Sequence, residues 1–234
     1  MGAFGTLIGV GVGPGAPDLL TLRAARAIEG ARVLAYPAPE GRPPLARAIA
    51  AAHVPAGVEE IAVALPMSPE RGPAQAAYDK GAARIAPHLE AGCDVAVLCE
   101  GDPLFYGSFM YLHARLRRFP VAVIPGVTSV AAAAALARLP LGARNGRVAV
   151  LPATLPDEAL RDGLLAHETA AILKLGRHLP RVRALLAALG LAGRATFVAR
   201  VGMGGEQALP LAEAPAEAPY FSLILVSREA DPWT

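Results

Sequence analysis

The chain has 234 residues, 54% of them hydrophobic and 18% charged, a composition typical of a globular protein with one large or two small domains. Its 22 Lys and Arg residues against 20 Asp and Glu residues argue against the broad basic face that nucleic-acid binding needs. The glycine-rich amino terminus lacks the basic segment of a signal peptide, and no apolar stretch approaches the roughly 20 residues of a membrane span. We therefore expect a soluble, cytoplasmic protein with no membrane or nucleic-acid partner.

The first half of the chain alternates short apolar runs with helical patterns. Thr21 is expected to cap the first helix, and Gly30 to end it in a left-handed conformation. Because most apolar runs end in Gly or Pro, they predict strands at 6–12, 32–36, 60–64, 94–99 and 121–124. Helices are predicted between them at 21–29, 43–52, 73–90 and 107–117. This alternation predicts a parallel α/β sheet.

After Pro125 and Gly126 the alternation starts again. Strands are predicted at 147–151, 169–175, 195–201, 207–211 and 220–227. Helices are predicted at 129–137, 157–166 and 180–189. The sequence therefore predicts two α/β domains, 1–126 and 127–234.

Cys93 and Cys99 are the only cysteines, and both belong to an apolar run that predicts a buried strand. The five histidines are scattered, and none lies close to a cysteine. We expect no metal site and a reducing compartment.

The glycine-rich segment 9–15 follows the first predicted strand and precedes the first helix. Glycines there permit positive φ and let a ligand approach the backbone. Pro14 and Ala16 break the spacing of the dinucleotide-binding loop, and the Lys-Ser/Thr pair of a phosphate loop is absent. A ligand loop and a tight structural turn both fit this segment.

Two further segments end predicted strands, where open parallel sheets bind their ligands. Asp102 in the segment 99–107 is either an ordinary turn residue before Pro103 or a partner for a cationic or hydroxylated ligand. Thr128 and Ser129 are either helix caps or hydrogen-bond partners of a ligand.

Three motifs together resemble the tetrapyrrole (corrin/porphyrin) methylase family. They are GVGPGAPDLLTLRA at 11–24 with its preceding glycine at 9, CEGDPLFYGS at 99–108 and PGVTS at 125–129. The similarity extends almost end to end and includes Tyr36-Pro37, KLGR at 174–177 and PYFSLILV at 219–226. One departure is Ala16, where the family often has Asp. Within the family, the segments 100–113, 150–156 and 219–226 are most similar to members that methylate carbon 20 of precorrin-2, with or without cobalt.

The resemblance implies a homodimer of two-domain α/β subunits, with a parallel amino-terminal sheet, a mixed carboxyl-terminal sheet and a ligand cleft between the domains. It implies S-adenosylmethionine as methyl donor and a tetrapyrrole as substrate. Carried over by motif, the cofactor contacts are Pro14, Gly101, Asp102, Pro103, Phe105, Tyr106, Gly107, Thr128, Ser129, Leu175, Arg200, Val201, Gly202, Ser222 and Leu223.

Methyl transfer to the meso carbon of a tetrapyrrole also requires the loss of a proton, which a carboxylate or phenol could remove. Asp102, Lys174 and Tyr220 are the candidate catalytic residues, with Lys174 also a candidate for orienting substrate carboxylates. Precorrin-2 has eight carboxylates, so local positive charge is expected. Its candidate sources are Arg42, Arg47, Lys174, Arg177 and Arg181, for which solvated surface residues are the alternative.

Two other classes of protein remain open. A nucleotide-binding oxidoreductase would fit the strand, glycine loop and helix at the amino terminus, but Tyr36-Pro37 lies where its acidic residue is expected. A tetrapyrrole carrier or dimer scaffold without catalysis would keep the same motifs. Within the family, uroporphyrinogen methylases and diphthine synthase share the first two motifs.

Overall fold

A computed structural model of the protein describes residues 3–66 and 71–228. The chain forms two compact units, one ending at Thr128 and the other beginning at Ser129. The domain limits predicted from the sequence, 1–126 and 127–234, stay a prediction. Within the described ranges, the helices are too short or too polar to cross a membrane.

The first unit contains a five-stranded, wholly parallel sheet with the strand order β3-β2-β4-β1-β5. The strands are β1 (Leu7–Gly11), β2 (Val33–Pro39), β3 (Glu59–Leu65), β4 (Val95–Cys99) and β5 (Val121–Ile124). The helices are α1 (Leu22–Glu29), α2 (Leu45–Ile49), α3 (Arg71–Glu90) and α4 (Phe109–Arg115).

Both faces of this sheet are covered because its central strands are apolar on both sides. On β4, Val95 and Val97 pack with α3 and α4, whereas Ala96 and Leu98 pack with α1 and α2. The chain therefore passes from β1 to α1 on one face of the sheet, and from its neighbour β4 to α4 on the other face. This is the switch point at which open α/β sheets form a ligand crevice at the strands' carboxyl ends.

The second unit contains a mixed sheet with the order β6-β7-β10-β8-β9, in which only β6 and β7 are parallel. The strands are β6 (Val148–Pro152), β7 (Thr169–Leu173), β8 (Ala195–Ala199), β9 (Gln207–Pro210) and β10 (Ser222–Ser227). The helices are α5 (Ser129–Ala137), α6 (Asp157–Ala166) and α7 (Leu179–Ala188). Helices α6 and α7 form one core with the sheet, and α5 contacts β8, β9 and β10 outside that core. The predicted pair of α/β sheets, one parallel and one mixed, is confirmed.

The caps of α1 test the local predictions. The Thr21 side chain accepts a hydrogen bond from the Ala24 N–H at 3.1 Å, which confirms the predicted amino-terminal cap. Gly30 was expected to be left-handed, but its φ of −87° shows that this expectation is wrong. The Ala31 N–H instead bonds the Ile28 carbonyl at 3.1 Å, so a tight last turn ends α1 without a left-handed residue.

Two strands of the second unit end earlier than predicted. The strands predicted at 169–175 and 195–201 end at Leu173 and Ala199. The next residues, Lys174 and Arg200, have φ values of 59° and 55°. A left-handed residue cannot continue an extended ladder, so each strand turns at a position proposed for the site.

Candidate active site

The loops that follow β1 and β4 are joined directly at the switch point. The Gly101 N–H donates to the Gly13 carbonyl at 2.7 Å, and the Gly13 N–H donates back to the Gly101 carbonyl at 3.3 Å. The Val12 N–H also donates to the Cys99 carbonyl at 2.9 Å. Two of the three motifs that predicted the site therefore form one surface.

Asp102 connects this surface to the third motif. Its Oδ1 accepts the Leu104 N–H at 2.9 Å and the Phe105 N–H at 3.2 Å. Its Oδ2 accepts the N–H of Gly126, in the loop after β5, at 3.1 Å. Both carboxylate oxygens are therefore bonded to backbone donors, which fixes the relative position of the two loops.

Gly126 permits the close approach of all three loops. A Cβ at this position would lie 2.0 Å from the Gly101 carbonyl oxygen and 2.8 Å from the Gly11 Cα. Both distances are to backbone atoms, which no side-chain rotation can move. The glycine in the third motif is therefore required by packing.

The remaining cofactor contacts proposed in the first unit differ in exposure. Pro14 and Pro103 are buried, whereas Gly101, Gly107 and Thr128 are partly exposed. Phe105 and Tyr106 are exposed by 36% and 48%, with their rings edge to face at 5.3 Å. The exposed aromatic pair and the partly exposed glycines are thus the parts of this edge that a ligand can reach.

In the second unit, Ser129 is the first residue of α5 and is partly exposed, and the other proposed cofactor contacts lie at the carboxyl ends of β7 and β8 and the amino end of β10. The antiparallel register places Ser222 opposite Ala199, immediately before the turn at Arg200. Lys174 is exposed after β7, whereas the Leu175 side chain is buried in the core. Val201 and Leu223 are also buried, so contacts from these three residues to a ligand would use their backbone atoms.

The turn after β8 is held by its own hydrogen bonds. The Arg200 N–H donates to the Phe221 carbonyl at 2.8 Å, and the Gly202 N–H donates to Glu206 Oε2 at 2.9 Å. The Ser222 hydroxyl donates to the Pro219 carbonyl at 2.7 Å. Tyr220, the proposed phenol, is exposed by 66%.

Three of the five non-glycine residues with positive φ in the described ranges belong to the proposed site. Tyr106, Lys174 and Arg200 are non-glycine residues with φ between 55° and 59°. Such residues cost of order 1 kcal/mol each and cluster at functional sites. The sequence could not indicate them, because these residue types rarely adopt this conformation.

Replacing Lys174 with Gly and with Ala separates the backbone from the side chain. Both variants remove the ammonium group, but only Gly removes the left-handed strain. We expect Lys174→Gly to be more stable than Lys174→Ala by about 1 kcal/mol in urea unfolding. Equal stability of the two variants would contradict a strained backbone at this position.

The proposed substrate-binding arginines differ in their partners. Arg47 forms a two-pronged bridge with Glu60, at 2.7 and 3.0 Å, and this hydrogen bonding raises the pKa of Arg47 and lowers that of Glu60. Arg181 bonds the Asp157 carboxylate and the Ala153 carbonyl. Arg42 and Arg177 are exposed. The geometry thus gives Arg47 and Arg181 structural partners, and their binding of substrate stays a prediction.

Glu100, next to the Gly101–Asp102 loop, was not singled out from the sequence. Burial raises the pKa of its carboxyl, and the backbone N–H groups of Glu100 and Ala46 oppose that shift. The signal that could have found it is an acidic residue directly after the fully apolar strand β4.

We expect Glu100→Gln to stabilise the protein at neutral pH. A folded-state pKa above the unfolded value gives stability that is present at low pH and is lost as pH rises through the folded pKa. The gain from Gln should therefore disappear near the unfolded pKa of about 4.3. Urea unfolding across this pH range tests it, with exposed Glu40→Gln as the control. A gain that is equal at both ends of the range would contradict burial as the cause.

The chain is thus an α/β protein of two compact units, one with three interlocked glycine loops at the switch point where open parallel sheets place their ligands. Residues 6–215 match the family model of the Tetrapyrrole (Corrin/Porphyrin) Methylases, and the chain belongs to this family. The family predicted from the three motifs is confirmed.

Relatives cover most of the chain. The chain is 45% identical to a precorrin-2 C(20)-methyltransferase of a Sinorhizobium species, over 95% of each chain. It is 32% identical to the cobalt-precorrin-2 C(20)-methyltransferase of Salmonella typhimurium, over 96% of this chain and 97% of that one. It is also 44% identical to the cobalamin biosynthesis protein CobIJ of Mycobacterium bovis, spanning only 46% of that protein.

A solved structure shares the fold. Uroporphyrin-III C-methyl transferase from Thermus thermophilus, complexed with S-adenosyl homocysteine, is 27% identical to the chain. It matches 95% of this chain and 97% of its own, with a TM-score of 0.68.

Proposed function

We propose that the protein transfers a methyl group from S-adenosylmethionine to carbon 20 of precorrin-2, giving precorrin-3A in cobalamin synthesis. The observation that carries this proposal is the near-complete match to a relative with that named activity. The interlocked loops at the switch point support it, because they are the family motifs assembled at one sheet edge. Cytoplasmic location and a homodimeric state belong to the same proposal.

In the first unit, the loops after β1, β4 and β5 form the edge of the sheet at which a methyl donor would bind. Its close backbone packing at Gly126 leaves a rigid surface, beside which Phe105 and Tyr106 are exposed. Bound S-adenosylmethionine supplies an electrophilic sulfonium methyl group. The protein's contribution is then mainly positioning, which in well-aligned systems accounts for about 7–11 kcal/mol of the barrier.

Asp102 acts in this proposal as a positioning residue. Its two oxygens are bonded to three backbone N–H groups, so it holds the β4 and β5 loops in register. Removal of the carbon-20 proton then falls to another group, for which Tyr220 and Lys174 are exposed candidates.

Lys174, Arg42 and Arg177 are the proposed partners of the substrate carboxylates. All three are exposed cations, as contacts to a polyanionic substrate require. The proposed contacts of Arg200, Ser222 and the buried Leu175, Val201 and Leu223 with the cofactor stay part of the proposal.

The second candidate is methylation of cobalt-precorrin-2 at the same carbon. The Salmonella relative bears that name and matches the chain over nearly its full length. Its lower identity, 32% against 45%, favours the metal-free substrate.

An anaerobic transfer assay tests the proposal. The protein is incubated with S-adenosylmethionine in three separate reactions, with metal-free precorrin-2, with cobalt-precorrin-2 or with uroporphyrinogen III. Mass spectrometry then measures the mass of each product. One added methyl on metal-free precorrin-2 is expected. Turnover of cobalt-precorrin-2 alone would support the second candidate. Turnover of uroporphyrinogen III alone would contradict both candidate functions. Binding of S-adenosylhomocysteine without any transfer would favour a carrier or scaffold.

A further inference from the structure

A polar cavity of about 570 Å³ lies in the second unit, between the carboxyl end of α5 and the sheet. Its walls include Leu136 and Leu209, and its polar lining includes Arg138, Arg194, Thr196 and Ser227. No acidic side chain is among the described residues that line it. Its volume is in the range of small-molecule sites, and the described residues that line it give it positive charge.

The cavity is separate from the strand ends of the candidate active site. Thr196 lies at the start of β8 and Ser227 at the end of β10, the opposite end of the sheet from Arg200 and Ser222. The proposed methyl transfer makes no use of this end.

A buried hydroxyl without a partner lines this cavity. Ser227 is 7% exposed, and its Oγ has no hydrogen-bond partner among the described residues. Ile224 and Val226 pack in the core with α6 and α7, so strand alternation turns Ser227 toward the α5 side, where the cavity lies. A buried hydroxyl left unpaired is unfavourable, and a ligand atom in the cavity would satisfy it.

Arg138 is placed at the cavity by a backbone conformation that favours glycine. Its φ is 53°, and its N–H bonds the Ala135 carbonyl at 3.1 Å while the Leu139 N–H bonds the Ala134 carbonyl at 2.9 Å. This is the helix-ending motif in which glycine is the usual residue. An arginine here costs stability relative to glycine, which suggests a use for its side chain.

Arg194 adds a second cation from the turn before β8. Its Nη1 donates to the Arg228 carbonyl at 3.2 Å, which holds the guanidinium beside the carboxyl end of β10. Guanidinium groups and a hydroxyl together are the donors that bind oxyanions.

We propose that this cavity binds a small organic oxyanion, a phosphate or carboxylate on an apolar body. Arg138, Arg194 and the Ser227 hydroxyl bind the oxyanion, and the side chains of Leu136 and of Pro210, which lies opposite Thr196 on β9, contact the apolar body. The apolar residues Leu136 and Pro210 line the same cavity as these donors, which is why the ligand has an apolar part.

The full chain is titrated calorimetrically with phenyl phosphate, benzoate, inorganic phosphate and benzyl alcohol. Saturating S-adenosylhomocysteine is present, so that binding at the cofactor contacts does not contribute, and the Arg138 and Ser227 variants separate this cavity from the cations proposed for the substrate. We expect phenyl phosphate or benzoate to bind, inorganic phosphate to bind more weakly and benzyl alcohol to show no binding. Equal binding of benzyl alcohol, or no binding of either aromatic anion, overturns the proposal.

The variants separate ligand binding from folding. Arg138→Gly removes the cation and also the left-handed strain, so we expect at least tenfold weaker binding with an unchanged or higher Tm. Ser227→Ala should weaken binding severalfold without lowering Tm, because it removes an unpaired hydroxyl.

Arg144→Gly is the matched control. Arg144 is exposed, has a φ of 49° and is not among the residues lining the cavity. It should leave the affinity unchanged. Undiminished affinity in Arg138→Gly, or an equal loss in Arg144→Gly, would overturn the assignment of Arg138.

Discussion

Replacing Gly126 with Ala is expected to lower the free energy of unfolding by about 3 kcal/mol and to abolish binding of S-adenosylhomocysteine. The added Cβ would lie 2.0 Å from the Gly101 carbonyl oxygen, so the β4 and β5 loops must separate. That separation also removes the bond between the Gly126 N–H and Asp102 Oδ2, now 3.1 Å long. Thermal unfolding and calorimetric titration measure the two effects.

Gly72→Ala in α3 is the control for this variant. A Cβ there meets no atom of the described residues within 4 Å, so stability and cofactor binding should stay unchanged or rise slightly. If Gly126→Ala is as stable as the control and binds the cofactor normally, the interlocked loops do not form the cofactor site.

Replacing Asp102 with Ala is expected to weaken S-adenosylhomocysteine binding by at least tenfold and to reduce methyl transfer further. Three backbone N–H groups lose a charged acceptor, and hydrogen bonds to charged groups contribute about 1.5–3 kcal/mol each. Asp102→Asn should have an intermediate affinity for S-adenosylhomocysteine. Its amide oxygen can still accept the Leu104 and Phe105 N–H groups, but its NH2 group faces the Gly126 N–H, and two donors cannot bond each other.

The pH profile distinguishes positioning from proton removal. A positioning role predicts that Asp102→Asn weakens cofactor binding and leaves the shape of the pH profile of kcat unchanged. Full cofactor affinity with a lost acidic limb, the part of the profile in which kcat rises with pH as the base loses its proton, would instead make Asp102 the base.

The sheets and the meeting of the three motifs could be predicted from the sequence. Apolar runs ending in Gly or Pro marked the strands, and the carboxyl ends of parallel strands lie along one edge. Asp102 and Gly126 both follow such strands. Their direct hydrogen bond depends on loop conformations that no local pattern specifies.

Other features required the three-dimensional structure. The turns at Lys174 and Arg200 use left-handed residues that propensity disfavours, so both strands were predicted too long. The pairing of Arg47 with Glu60 depends on how α2 packs on the sheet, where it contacts β2 and β4. Burial of Glu100 likewise arises from packing around the end of β4, against the Ala46 N–H of α2.

The position of the transferred methyl group tests the central claim most directly. The protein is incubated anaerobically with metal-free precorrin-2 and S-adenosylmethionine carrying a ¹³C-labelled methyl group, and the product is analysed by carbon NMR. The proposal predicts a single labelled methyl bonded to carbon 20. A label on any other carbon, or no transfer by protein that binds S-adenosylhomocysteine, would contradict it.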